Sequence, residues 1–286
     1  MRMRVGISRA CGVCVALVGL VALTQAATAP QAASDPWKAT GEAYRRVVLL
    51  DLPPQSLARE LVSSVDFVQE RSPSVDARMR HRGGARRVVV TTAWMSTMKE
   101  LMHAAAVASV ARNPDCFAGF LAQQADALSP PEGGALAWSR RIAAQPFGDY
   151  AESSAGRACK GITRRLRHGP AVAAATQAGM DAAMSLVVGR ALEPLAVAPG
   201  PADARGTAAS ATCAPPPHEL RVIETMSKLR IDAAPLAPLY LLEARVRGAS
   251  LPGCGTQRER AEAYLALLPT SARESSKPWV QALWPN

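Results

Sequence analysis

RVVVTTAWMSTMKELMHAAAVASVARNP, residues 87–114, decides the fold class. It opens with Val88-Val89-Val90-Thr91-Thr92, a β-branched run that suits a short strand because branched side chains pack well on a pleated surface. From Trp94 onward alanine, methionine and leucine dominate, and the segment reads as a long helix that Asn113-Pro114 ends. A little strand and much helix is therefore the expected pattern.

The rest of the chain repeats the helical half of that pattern. Hydrophobic residues make up 49% of the 286 and aromatics only 5%, so alanine and leucine supply the apolar surface. Alanine loses no side-chain entropy in a helix and leucine loses little. Gln55 to Glu70 reads as an amphipathic helix, with Leu57, Leu61, Val62, Val65 and Val68 at helical spacing. Further helices are expected at 115–127, 134–144, 149–167 and 171–193, and shorter ones at 218–230, 236–247, 257–268 and 273–284. Gly and Pro punctuate them. The expectation is a mostly α protein: an antiparallel helical bundle with a smaller helical C-terminal piece. Short β elements are expected only near 46–52, which is apolar and rich in valine and leucine, and near 87–92. Residues 71–87, with their many arginines and Gly83-Gly84, read as a loop.

VVLLDLPPQSLARELV, with Pro54-Gln55-Ser56-Leu57 at its centre, resembles the opening of the small domain at the N-terminus of secretins and TonB-dependent receptors. That resemblance covers at most residues 46–106. It implies a strand, a proline-containing turn, a helix, and then a later strand and helix at RVVVTT and beyond. Nothing after it looks like a barrel or a secretin.

The N-terminus reads as an address. Arg2, Arg4 and Arg9 precede an apolar run from Cys11 to Leu23, and small residues follow up to Ala26. These are the three parts of a secretory signal, and the run is short for a membrane span. Cys11-Gly-Val-Cys14 lies inside the leader, so it is not read as a redox motif. The expected organisation is a signal peptide at 1–26, a disordered lead at 27–36, a main helical domain at 37–193, a Pro/Ala/Gly-rich linker at 194–217 and a small helical subdomain at 218–286. No transmembrane span is expected after cleavage, and the location is periplasmic or secreted.

Four cysteines remain: Cys116, Cys159, Cys213 and Cys254. An even number in an exported chain reads as disulfides, and four allow three connectivities. Proximity in the chain favours Cys116–Cys159 and Cys213–Cys254, and the sequence does not choose among the three. The net charge is +10, and removing the three leader arginines leaves +7. Outside the inner membrane such a charge points to an envelope protein or an anionic envelope component, and not to nucleic acid.

Chemistry-bearing residues are sparse. His81, His103, His168 and His218 are the only histidines, and no Gly-x-Ser-x-Gly, His-Glu-x-x-His or phosphate loop occurs. No residue is nominated as catalytic and no cofactor is expected. Met95, Met98, Met102 and His103 form the sharpest constellation, since thioethers and an imidazole suit Cu(I). The same methionines also suit core packing. Arg78, Arg80, Arg82, Arg86 and Arg87 form a candidate anion site. RRLRH, 164–168, repeats the theme beside a helix end. Trp279 and Trp284 are expected to cap the C-terminal piece. The functional expectation is an exported, non-catalytic accessory or binding protein. A periplasmic copper protein and a hydrolase without a recognisable motif are the alternatives.

Overall fold

The computed structural model describes residues 35–129, 145–162, 166, 169–197, 213–246, 251 and 253–285. The expected signal peptide, the disordered lead up to residue 34, the helix at 134–144, most of RRLRH and most of the 194–217 linker lie outside the described residues. The described part holds ten α-helices, two short 3-10 turns and one three-stranded sheet.

Helix α1, Pro36–Leu50, starts where the Asp35 side chain accepts a hydrogen bond from Trp37 N at 3.0 Å and proline fills the first turn. Trp37, Gly41, Tyr44 and Val48 then recur on one buried face. This face overrides the strand composition of 46–52, which is helical as far as Leu50. Val48 is buried there, while Leu50 points into solvent. The strand that the resemblance implies before the proline turn is thus a helix.

Residues 55–70 divide into two elements. Helix α2, Leu57–Ser63, is capped by Ser56 and closes where Ser63 and Ser64 hydroxyls donate to the carbonyls of Arg59 and Leu61. Strand β1, Val65–Glu70, follows, with Val65 and Phe67 buried and Asp66 exposed between them. A period of two therefore takes over where the sequence reads as continuing helix.

The arginine-rich stretch is a hairpin and not a loop. Strand β2, Ala77–Arg82, runs antiparallel to β3, Ala85–Thr91, and β3 runs parallel to β1, giving the order β1-β3-β2. Gly83 and Gly84, at φ +57° and +82°, make the two-residue turn that side chains with a Cβ resist. One sheet face, with Val65, Phe67, Val88 and Val90, packs into the core. The other carries Asp66, Glu70, Arg78, Arg80 and Arg87.

Helix α3, Thr92–Ala111, leaves β3 directly, with Thr91 Oγ1 accepting from Trp94 N. Asn113 caps α4, Pro114–Leu128, so the dipeptide that ends one helix begins the next. The expected helix over 149–167 is broken: α5 spans Phe147–Glu152, and a turn leads to a 3-10 segment at Arg157–Cys159. Helix α6, Pro170–Ala196, is long and apolar enough to cross a membrane, but just over half of its most apolar stretch is buried inside the fold, as in a core helix. Helices α7, Pro217–Lys228; α8, Ala237–Arg245; α9, Gln257–Leu265; and α10, Thr270–Leu283 lie within three residues of the positions read from the sequence.

Residues Asp35–Asn286 form one compact unit. A single hydrophobic cluster runs from Trp37 through α3, α4 and α6 to Val222, Leu241 and Leu283. Trp279 stacks at a tilt on Phe117 of α4, with ring centroids 4.5 Å apart, and Trp284 Nε1 donates to Gln257. Cys116–Cys159 and Cys213–Cys254 are both bridged, which is the pairing that proximity favours.

Candidate functional site: a groove beneath the sheet edge

A cavity of about 370 Å³ opens beneath the outer edge of β2. Asp76, Ala77, Arg78 and Met79 form its sheet side, Trp94 its end, and Val187, Arg190, Ala191, Leu239 and Glu243 its helical wall. Six of its lining residues are apolar and four, Asp76, Arg78, Arg190 and Glu243, are charged.

Those charged groups hold one another. Arg190 projects from the apolar helix α6 and donates from Nε to Glu219 at 2.5 Å. Its two terminal nitrogens donate to the two oxygens of Glu243 at 2.6 and 2.8 Å. This bidentate fork joins α6, α7 and α8. Burial works against the Arg190 charge, but the Glu243 and Glu219 carboxylates outweigh it and hold the guanidinium well above its ordinary value. Tyr240 Oη also donates to Glu219, and burial pushes that phenol upward. One turn along α6, buried Glu193 accepts from Tyr44 at 3.1 Å and Thr225 at 2.8 Å. At the sheet, buried Asp76 accepts from Arg80 at 2.6 Å and lies 3.1 Å from Arg78. The hydrogen bond to Asp76 raises the Arg80 guanidinium above its usual range.

The proposed anion-site arginines therefore separate into two sets. Arg78, Arg80 and Arg87 are paired with Asp76, Glu70 and Asp66. Arg82 and Arg86, at the hairpin turn, have no ion pair among the described residues. His81 lies exposed beside them.

The methionine constellation also separates. Met98 and Met102 are buried in the core, Met102 so close to Gly179 that a Cβ there would stand 2.8 Å from its sulfur. Met95 and His103 line a different groove with Lys99, Met180 and Met184. Eight residues of helix place Met95 and His103 about 12 Å apart along the axis, with an ammonium between them. Glu100 accepts from Phe147 N at 2.8 Å and anchors α5. The His103 ring meets Phe147 edge-on. His168 lies outside the described residues.

Sequence reasoning missed Asp76, Arg190, Glu219 and Glu243. The available signal was Arg190 and Glu193 in a largely apolar helix whose only other charge is Asp181, because a charge on a buried face needs a partner. No family model, curated protein or solved structure matches this chain.

Proposed function

We propose that this chain is an exported, non-catalytic binding protein of the cell envelope and that the groove beneath β2 holds its ligand. The observation that carries the reading is the mutual neutralisation of the groove's charged groups. Arg190 is held by Glu219 and Glu243, and Asp76 by Arg78 and Arg80. Groups held this way build a rigid wall and have little freedom to exchange protons with a substrate. Two disulfides suit an oxidising compartment, and the leader's charged tip and apolar run supply the route there. The partner is a protein or an anionic envelope component, in keeping with the +7 of the mature chain.

The scaffold is an antiparallel helical bundle. Support comes from α3 and α6: Trp94 shares a cavity with Val187 and Ala191, Met102 abuts Gly179, and Ser109 shares a cavity with Ala175. Positions rise on one helix as they fall on the other.

Intact-mass analysis of the protein recovered from the envelope fraction of its own cells, with and without reduction, tests the reading. A chain beginning at Ala27 that gains four hydrogens on reduction is expected. A chain that keeps Met1 to Ala26 and carries free thiols overturns it.

A further inference from the structure

We infer that the groove and the open edge of β2 together take an extended polypeptide segment of alternating acidic and apolar residues, which adds to the sheet as a fourth strand. This rests on the reading of the groove as the binding site.

The ladder register shows which backbone groups are available. Thr91 N donates to Asp76 O at 3.0 Å, which makes 76 and 91 a hydrogen-bonded pair. Antiparallel ladders alternate such pairs with non-bonded ones. The two-residue glycine turn closes on the Arg82 and Ala85 pair, which has the same parity. Arg78, Arg80 and Arg82 therefore direct their N–H and C=O groups at β3. Ala77, Met79 and His81 direct theirs away from the sheet. Those outward groups have no backbone or side-chain partner among the described residues. Strand addition supplies one, and unpaired edges are templates for it.

The side chains set the guest's pattern. On the core-facing side of β2 stand Ala77 and Met79, and beneath them lies the cavity, apolar where Trp94, Val187, Ala191 and Leu239 line it, with the Arg190–Glu243 pair in its helical wall. On the opposite side stand Arg78, Arg80 and Arg82; Asp76 and Glu70 already hold the first two, so Arg82 is the cation of the row with no ion pair among the described residues. A guest strand alternates its side chains between the same two sides. One set enters the cavity and is apolar. The other lies beside the arginine row and is acidic, since opposite charges on neighbouring strands attract and like charges repel. Arg82 therefore marks the basic end of that side, while Arg86, in register with His81, lies on the opposite face.

The test uses the mature full-length chain, its disulfides intact, and a synthetic peptide of roughly eight residues alternating glutamate and valine. Amide hydrogen exchange is read residue by residue. In the free protein the amides of Arg78, Arg80 and Arg82 exchange slowly and those of Ala77, Met79 and His81 quickly. On adding peptide the second set slows at least tenfold. A peptide with lysine in place of glutamate binds at least tenfold more weakly. Met79→Pro removes one outward N–H and no β2–β3 bond, and weakens binding by a similar factor. Arg82→Glu, on the exposed turn, does the same without touching the strand's backbone.

Protection of Ala77, Met79 and His81 before any peptide is added overturns the inference, because the edge is then already covered. Failure of the glutamate–valine peptide to bind overturns it as well. Binding that leaves these three amides fast also overturns strand addition, while the groove itself stands as a binding site. The compartment and thiol state are read separately by intact mass, so failure of the export reading is told apart from failure of this one.

Discussion

Replacing Arg190 with leucine removes the cation that three helices share. Glu219 is left with 2% of its side chain exposed and Glu243 with 16%, both facing a hydrocarbon chain in place of a guanidinium. Breaking a buried ion pair costs about 3–5 kcal/mol, because the remaining charge stays desolvated. Arg190 is itself 26% exposed at the groove, so water reaches part of the vacated space and the lower end, about 3 kcal/mol, is expected. Against a total stability of roughly 5–15 kcal/mol this is a large share. The orphaned carboxylates would take up protons more readily in the folded state than in the unfolded chain. A raised folded value means that stability increases as pH falls, so the deficit of Arg190→Leu shrinks between pH 7 and about pH 5. Urea unfolding followed by circular dichroism at both pH values reads this directly. Glu243→Gln and the double variant complete a cycle whose coupling is expected at about 1–3 kcal/mol. A loss below about 1 kcal/mol at pH 7, with no change in pH slope, would refute the claim that Arg190 is the buried partner of both acids.

Three further outcomes follow from single features. Each disulfide closes a loop of just over forty residues and stabilises by about 4 kcal/mol on the chain-entropy account. Cys116 and Cys159 are fully buried while Cys213 and Cys254 are partly exposed, so mild reductant followed by alkylation and mass mapping labels the second pair first. Gly84→Val is expected to cost about 1–2 kcal/mol in thermal or urea unfolding, whereas Gly83→Asn is tolerated, because the turn needs positive φ at both positions and asparagine adopts it. Burial first, and Arg190 and Arg221 after it, hold the His218 imidazole below its usual value, with Glu219 and Glu193 opposing. The unfolded chain then takes the proton more readily, so stability falls as pH drops below about 6.5. His218→Gln should show a shallower decline in urea midpoint over that range.

The helices were legible in the sequence because they are long, alanine-rich and separated by proline and glycine. The structure places α4, α6, α7, α8, α9 and α10 within a few residues of where the pattern set them. The sheet was largely illegible, for two physical reasons. Val65 and Val68, three apart, continue the helical period, and only pairing with β3 makes the run a strand with Val65 and Phe67 inward. Strand β2 alternates three arginines with Ala77, Met79 and His81, so only two apolar residues, one of them small, mark its inner face, and the charge hides the alternation. Its one clear signal was Gly83-Gly84 as a hairpin turn, and the surrounding charge made it read as a loop. The methionines illustrate a different limit. Sequence spacing placed Met95, Met98 and Met102 on one helical face, but a helix in a core has neighbours on several sides. Small rotations around the axis send Met98 and Met102 inward and Met95 to another groove.

The charged pegs in the core explain how an alanine-rich helix finds a single register. Apart from the seats that Gly179 gives Met102 and Gly189 gives Tyr44 and Val222, α6 presents mostly alanine, valine, leucine and methionine to its neighbours, and such surfaces slide and rotate at little cost. Arg190 and Glu193 lie three residues apart, on the same side of the helix. Each meets partners on two further elements: Arg190 on α7 and α8, Glu193 on α1 and α7. Shifting α6 by one turn against both α7 and α8 would leave Glu219 and Glu243 without their cation, a penalty far larger than the difference between one alanine contact and another. The same fixation sets the spacing of α6 and α8, which form the helical wall of the groove. The helical wall of the groove is thus built by the ion pairs that specify the helix register, which is why it carries charges that are already spoken for.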